Sequence, residues 1–417
     1  MSAIPSHFYR IHPIGNYTSS TKIMDIDIVI SEINGFANNL KSGGQMPPRQ
    51  QERLLEACDR LSMQLKNPEQ GFTATAAVKI AIDMGIFDLT INRDPEEITA
   101  EEIANSTGAD QVLVVERIMR SQVINGLLNT TPQNKYAANE ATKALSSQGS
   151  MQHMVSFIHN VTACVSQKLP EFLAKTGYRN PNSSTDGPFQ YTFNTSNRFY
   201  TWLQKHPELH VSFNGMMKAT ERQDVRWSDI FPAEDRFAVF RGPQSQVLHL
   251  VDVAGGTGYN IQHLVEKIPD LHARFTLQDL PEVIAAGCVP VAAQVEVMPH
   301  DIFQTQPVTG AHVYILKRIL HNWPDQECRQ ILGHLRDAMG PDSVVLIHDR
   351  VFPDEVAGMS KADVSIDLAM MMLCGSMERT EAQFRTLFAS VGLRMVRVWR
   401  GPAQSQDAVV EAVLAEK

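Results

Sequence analysis

The chain has 417 residues, 43% of them hydrophobic, and a formal net charge of −9 at pH 7. That length buries a large core spread over two or three domains, and the acidic balance argues against a nucleic-acid or anionic-membrane partner, because neutralising phosphates takes clustered Lys and Arg. The five cysteines, Cys58, Cys164, Cys288, Cys328 and Cys374, include no CxxC pair, a usage that fits reduced thiols rather than a disulfide framework or a metal centre.

The N-terminus lacks the basic start and apolar core of a signal peptide, and no apolar run is long enough to span a bilayer. A cytoplasmic protein is expected. Ile23–Leu40 reads as a helix suited to packing on a partner subunit, and Lys41–Pro48 breaks it. Leu54, Leu55, Leu61 and Leu65 recur at helical spacing over Gln50–Leu65. Residues 73–87 are nearly all apolar and predict a helix buried on most sides.

Thr99 with Glu102 forms a capping box for a short helix. Asn105–Ala109 then reads as a turn, Asp110–Asn125 as a second amphipathic helix closed by Gly126, and Leu127–Ala137 as a β-hairpin wing. The whole is a winged helix-turn-helix. DNA binding is disfavoured: the second helix sets only Arg117 and Arg120 against Glu116, and Glu96, Glu97, Glu101 and Glu102 precede it. Helices are expected over Met154–Leu173 and from Thr195 to about Glu221, separated by the polar loop Gly177–Pro188.

From Val247 the pattern alternates. Strands are predicted at Val247–Val253, Arg274–Gln278, Val295–Met298, His312–Leu316, Val344–Asp349, Leu393–Val398 and Ala408–Leu414, with helices between the first several. Such alternation predicts a doubly wound, mostly parallel sheet. The run Leu248–Gly258, LHLVDVAGGTG, is a buried strand ending in a glycine turn that opens a helix, and Asp279 ends the next strand. Bare backbone at Gly255, Gly256 and Gly258 with a carboxylate opposite suits a nucleotide-like ligand, the acid holding its ribose hydroxyls. Asp301 follows the third strand, where an adenine would lie, and Lys317-Arg-Ile-Leu-His321 follows the fourth. Ligands of open α/β sheets bind at these carboxyl ends, so the loops converge on one crevice.

LVDVAGGTG, LQDLP, HDIF, LKRILHNWPDQEC, AMGPDSVVLIHDRVFP and SIDLAMMMLCGSMERT stand in an order and spacing that resembles the S-adenosylmethionine-dependent small-molecule O-methyltransferases, the plant caffeic-acid type and the fungal secondary-metabolite branch. The resemblance covers roughly residues 70–417. It implies an α/β protein: residues 1–150 a helical and winged-helix dimerisation domain, residues 151–417 a helical connector plus a Rossmann-like, doubly wound methyltransferase domain. The cofactor would be S-adenosyl-L-methionine, the substrate an aromatic or polyketide small molecule, the assembly a homodimer, with no metal.

By motif position His321 maps onto the general base, and Asp349 and Glu378 onto the acids that flank it. Gly255, Gly256, Gly258, Asp279 and Leu280 map onto the cofactor cradle, Asp301 and Ile302 onto the adenine region, and Lys317 onto the adenosyl group. Asp252 would orient the glycine loop or face the cofactor's ammonium. Met217 and Met371, the latter in the run Met370–Met372, map near the substrate, where an adaptable thioether suits flat rings.

Plainer readings stand beside these. His321 can be a satisfied helix-start ring, Asp349 a sheet-end cap, Glu378 a surface ion pair with Arg379, and the methionines core packing. The chain also departs from the family: Ala254 replaces a glycine, tolerable if its φ is negative; Asn322 replaces the commoner aspartate; Asp349 is shorter than the usual glutamate, lengthening its reach to His321; and His348 has no assigned role. The alternative to methyl transfer is a relative that binds the cofactor but catalyses dehydration or a pericyclic reaction; retention of His321 and both acids favours methyl transfer. A nicotinamide dehydrogenase is disfavoured because the turn reads GGTG rather than GxGxxG.

Overall fold

The computed structural model describes residues 68–92, 97–221, 225–242, 245–285, 287, 295–355, 359–402 and 406–415. The helices expected at Ile23–Leu40 and Gln50–Leu65 lie outside the described residues. The chain divides into two units, Met1–Ala76 and Ala77–Lys417, and the architecture below is that of the second.

The apolar segment expected as one helix over 73–87 is two. A helix Pro68–Asp83 ends ahead of Gly85, whose φ of +67° starts a second helix, Ile86–Ile91. A left-handed residue cannot continue a helix, and glycine adopts that conformation without a side-chain clash. Nor is the segment buried on most sides: Ala77 and Ala81 are buried, yet Ile80 is 42% exposed. Thr99 makes the predicted capping box, its N–H donating to Glu102 Oε2 at 2.8 Å and its hydroxyl accepting from the Glu102 N–H at 3.2 Å. The helix it starts, Ala100–Thr107, runs through most of the expected turn and stops at Gly108.

Helix Val112–Ile124 follows, and then the wing. The wing pairs β2 (Asn129–Thr130) with β3 (Tyr136–Ala137), and β3 also pairs with β1 (Glu97–Ile98), so the hairpin is the edge of a three-stranded sheet. Ala81, Ile86, Ile98, Ile103, Val115, Met119 and Tyr136 close a core beneath it.

The connector is a helical run, Met151–Phe157 and Ala163–Lys175, joined by a π-turn at Ile158–Thr162. The loop Gly177–Pro188 ends in a short helix, Pro188–Phe193. The stretch Thr195–Glu221 is two helices, Phe199–Gln204 and Pro207–Glu221, because Pro207 lacks the N–H that would extend the first. Phe157, Phe189, Phe199 and Trp202 pack edge to face and bury Met372 and Leu373 with them.

All seven predicted strands form. Their order is β10 (Leu393–Arg400), β11 (Asp407–Leu414), β8 (Val344–Phe352), β7 (Val313–Lys317), β4 (Leu248–Val253), β5 (Ala273–Asp279) and β6 (Val295–Pro299). β8 through β6 are parallel, whereas β11 runs antiparallel to both neighbours. A short β9 (Arg379–Thr380) adds to β8. The register aligns Val253 with Gln278, Asp279 with Pro299 and Lys317 with His348. The glycine turn, Asp279, Asp301 and the histidine turn thus all leave from the carboxyl ends of these parallel strands. Among the described residues no helix is long and apolar enough to cross a membrane.

Candidate active site

The glycine turn is built on a buried carboxyl group. Asp252, fully buried on β4, accepts from Asn260 Nδ2 at 3.2 Å through Oδ1, while Oδ2 has no partner among the described residues. Burial pushes its carboxyl up to about 7 against the pull of Asn260 and Lys317. Gly255 sits over this acid: a methyl there would meet Asp252 Cγ at 2.4 Å and Leu277 Cδ1 at 2.6 Å. Gly256, at φ +59°, faces open space, and Gly258, at φ +93°, caps helix Tyr259–Lys267. Ala254 does not keep a negative φ; it stands at +55°, so the alanine carries the strain that the family's glycine avoids.

Asp279 braces the turn, its Oδ2 accepting the Gly256 N–H at 2.8 Å and its Oδ1 the Leu280 N–H at 2.7 Å. Burial raises its carboxyl and these two N–H groups pull it back. Each oxygen keeps a further lone pair for a ligand hydroxyl. Asp301 caps its own turn, accepting the Phe303 N–H at 3.0 Å, while Ile302 packs on the sheet core. Sequence reasoning missed what holds that loop: Gln278 and Gln306 exchange reciprocal amide bonds of 2.8 and 2.9 Å inside the protein. The signal was the position of Gln278, one residue ahead of Asp279. Lys317 ends β7 half-buried, its charge acting on Asp252 and His348.

His321 stands in a single 3₁₀ turn, Leu320–Asn322, with 13% of its side chain exposed. Its Nδ1 lies 2.8 Å from Glu378 Oε1. Burial opposes a charged ring, but the charge and hydrogen bond of Glu378, with Asp349 beyond, carry His321 above the ordinary histidine range. The Glu378 carboxyl is held low despite burial, by the same imidazole. Glu378 is 4% exposed and Arg379 2%, so the surface ion-pair reading is wrong.

Arg379 instead pins the histidine turn, donating from Nη1 to the Leu320 carbonyl at 2.8 Å and from Nη2 to the Trp323 carbonyl at 2.9 Å and Asp325 Oδ1 at 2.7 Å. Ser376 adds a hydroxyl bond to Trp323 O at 2.7 Å.

Asp349 faces His321 electrostatically but does not bond it: neither carboxylate oxygen has a hydrogen-bond partner among the described residues, and burial pushes the acid up to about 6. The missing methylene is the simplest reason. His348 is fully buried and driven down to about 3, first by burial and then by Arg318 and Lys317. Helix Lys361–Cys374 packs on the histidine turn, with Met371 half-buried and Met372 turned into the aromatic core. Met217 lies on helix Pro207–Glu221, 36% exposed.

Residues 178–394 match the model of the O-methyltransferase domain, and residues 67–148 that of the O-methyltransferase dimerisation domain. The chain is 33% identical to demethylsterigmatocystin 6-O-methyltransferase of Aspergillus parasiticus over 322 residues, 77% of this chain and 81% of that one. The structure of OxaC in complex with SAH and oxaline superposes with a TM-score of 0.80 at 25% identity, covering 93% of this chain and 98% of that one. One described as a pericyclic reaction enzyme superposes at 0.78 and 26%, covering 93% and 99%. A glycine cradle on β4, a histidine turn after β7 and these two matched domains lead to one conclusion: the chain belongs to the O-methyltransferase family, with a dimerisation domain ahead of its catalytic domain.

Proposed function

We propose that this enzyme moves the methyl of S-adenosyl-L-methionine to a phenolic hydroxyl of a secondary metabolite, with His321 as general base. One observation carries the reading: the Nδ1–Glu378 contact. An ionised carboxylate can only accept, so in the neutral ring Nδ1 holds the hydrogen and Nε2 keeps its lone pair. A phenol, with a pKa near 10, is mostly protonated at neutral pH. Nε2 takes that proton, a contribution of about 10²–10⁴ in rate.

The residues present fit the cofactor. The partnerless Asp252 Oδ2 is placed for a cationic or N–H donor, Gly256 opens onto free space, and Asp279 offers lone pairs to a diol. Asp301, Ile302 and Lys317 would line the adenosyl side. When bound, the sulfonium supplies an activated methyl, so the protein's remaining task is alignment, which holding two reactants in place can achieve at effective molarities of about 10⁵ M or more. Met217 and Met371 would border the acceptor.

Residues 1–150 would serve dimerisation and 151–417 catalysis. A homodimer is supported by the matched dimerisation domain and by apolar side chains left exposed on helix Val112–Ile124, Ile124 at 87%. Light scattering at micromolar concentration should return twice the chain mass; a monomer would refute it.

The test of the chemistry is incubation with S-adenosylmethionine and a phenol library. His321→Ala should abolish methylation while calorimetric cofactor binding persists. The second reading, dehydration or a pericyclic reaction with the cofactor bound, draws support from the likeness to the pericyclic enzyme over nearly the whole chain. A product bearing no added methyl would favour it.

A further inference from the structure

Arg318 is drawn into the site twice over. Its backbone holds a left-handed conformation, φ +57°, at the point where β7 gives way to the histidine turn. Both of its main-chain groups are tied: its N–H donates to the His348 carbonyl at 2.9 Å, and its carbonyl accepts from Asn322 Nδ2 at 2.8 Å. The turn that carries His321 is therefore shaped around this residue. The guanidinium meanwhile reaches the first residue of β11, donating from Nη2 to Asp407 Oδ1. Both side chains are largely buried. β11 runs beside β8, with Asp407 opposite Arg350 and Ala408 opposite Asp349.

The charges around His321 make this placement meaningful. Glu378 bonds the ring ahead of β9, and Asp349 faces it from β8. Helix Lys361–Cys374 contributes Asp367, whose Oδ1 accepts the Glu378 N–H at 2.8 Å, and Asp363, which pairs with Arg350. Arg379 is committed to Asp325. Around Arg318 itself stand Lys317, His348 and Asp407. Two acids beside a buried imidazole favour its charged form, and a permanently protonated ring cannot accept a proton. A cation in the same poorly solvated site opposes that tendency, and Arg318 does so as the smallest of the effects on the ring, after burial, Glu378 and Asp349.

We infer that Arg318, clamped by Asp407, is a positioning residue whose guanidinium counterweights the acids around His321 and so keeps the ring able to accept a proton. Arg318 depresses the imidazole and stabilises the ionised forms of Glu378 and Asp349, in agreement with that geometry. The inference rests on His321 as the base, but it concerns the ring's protonation and can be read without a substrate.

The experiment is a pH titration of the full chain labelled with ¹³C-histidine and followed by NMR. The His321 signal is assigned by its loss in His321→Gln. Arg318→Met removes the cation, so the ring's midpoint should rise by about half a unit or more. Asp407→Asn removes the carboxylate that pairs with Arg318, so the midpoint should fall. Arg318→Lys should bring it back toward that of the native chain. Opposite shifts from the two halves of one ion pair are not the mark of a purely structural contact. Where Arg318→Met alone does not fold, Asp407→Asn and Arg318→Lys still give the sign of the effect. Midpoints that stay put, or move the same way in Arg318→Met and Asp407→Asn, overturn the inference. Midpoints that shift as expected while the acid limb of the methylation rate stays fixed uphold it and overturn His321 as the base.

Discussion

His321 Nδ1 lies 2.8 Å from Glu378 Oε1, joining a turn after β7 to the residue just ahead of β9. The carboxylate both orients the ring and raises its proton affinity against the effect of burial. Glu378→Gln removes the charge and keeps a side chain of the same size. The ring should then lose its proton at lower pH, so the acid limb of kcat/KM moves to lower pH. With the ring less firmly oriented, kcat should fall by about 10²-fold. A pH–rate profile checks both.

The turn residues should separate packing from ligand approach. Gly255→Ala drives a methyl into Asp252 and Leu277, and overpacking of this kind costs about 1–3 kcal/mol. Its melting temperature should drop along with cofactor binding. Gly256→Ala meets no protein atom within 4 Å but puts an alanine at φ +59°, which costs roughly 1–2 kcal/mol, so its melting temperature should drop through backbone strain alone while cofactor binding weakens. Ala254→Gly relieves a left-handed alanine costing roughly 1–2 kcal/mol, offset by about 0.5–1 kcal/mol of added chain entropy. A small rise in melting temperature is expected, measurable by differential scanning fluorimetry.

Arg379 satisfies two carbonyls of the histidine turn and one carboxylate at once. Lysine offers a point charge instead of a planar fork. Arg379→Lys should therefore lose most of the activity and destabilise the fold, because leaving the Leu320 and Trp323 carbonyls without their donors costs about 1–3 kcal/mol each. Activity close to that of the native chain would show that the turn holds its shape without the fork.

His348 should make the protein acid-sensitive. Neither ring nitrogen has a hydrogen-bond partner among the described residues, and the folded chain binds its proton only near pH 3. The unfolded chain binds it below about 6.5. Stability tied to this ring is thus complete above that value and drains as pH falls toward 3, by about 1.4 kcal/mol per pH unit. His348→Leu should flatten the loss of melting temperature between pH 6.5 and 5. An unchanged slope would assign the acid sensitivity to other groups.

The seven strands of the large sheet were legible because each is a short run, apolar throughout or at alternate positions, and the glycine turn because its spacing reports a backbone need. β1 was not legible. Two residues, Glu97 and Ile98, have no periodicity, and they are a strand only because β3 offers its edge. The break at Gly85 was hidden inside an apolar run whose composition suits one long helix.

Order along the chain determined the Rossmann-like domain and the winged helix ahead of it, since local propensity is a property of neighbours in sequence, and the motifs' resemblance to a known family singled out His321, Asp349 and Glu378. Tertiary structure alone decided that Glu378 bonds the imidazole and Asp349 does not, that Arg379 staples the turn, and that Arg318 meets Asp407. Those pairings depend on which strand ends lie side by side, and on carboxylates whose charge is set by burial, quantities that no local pattern of residues encodes.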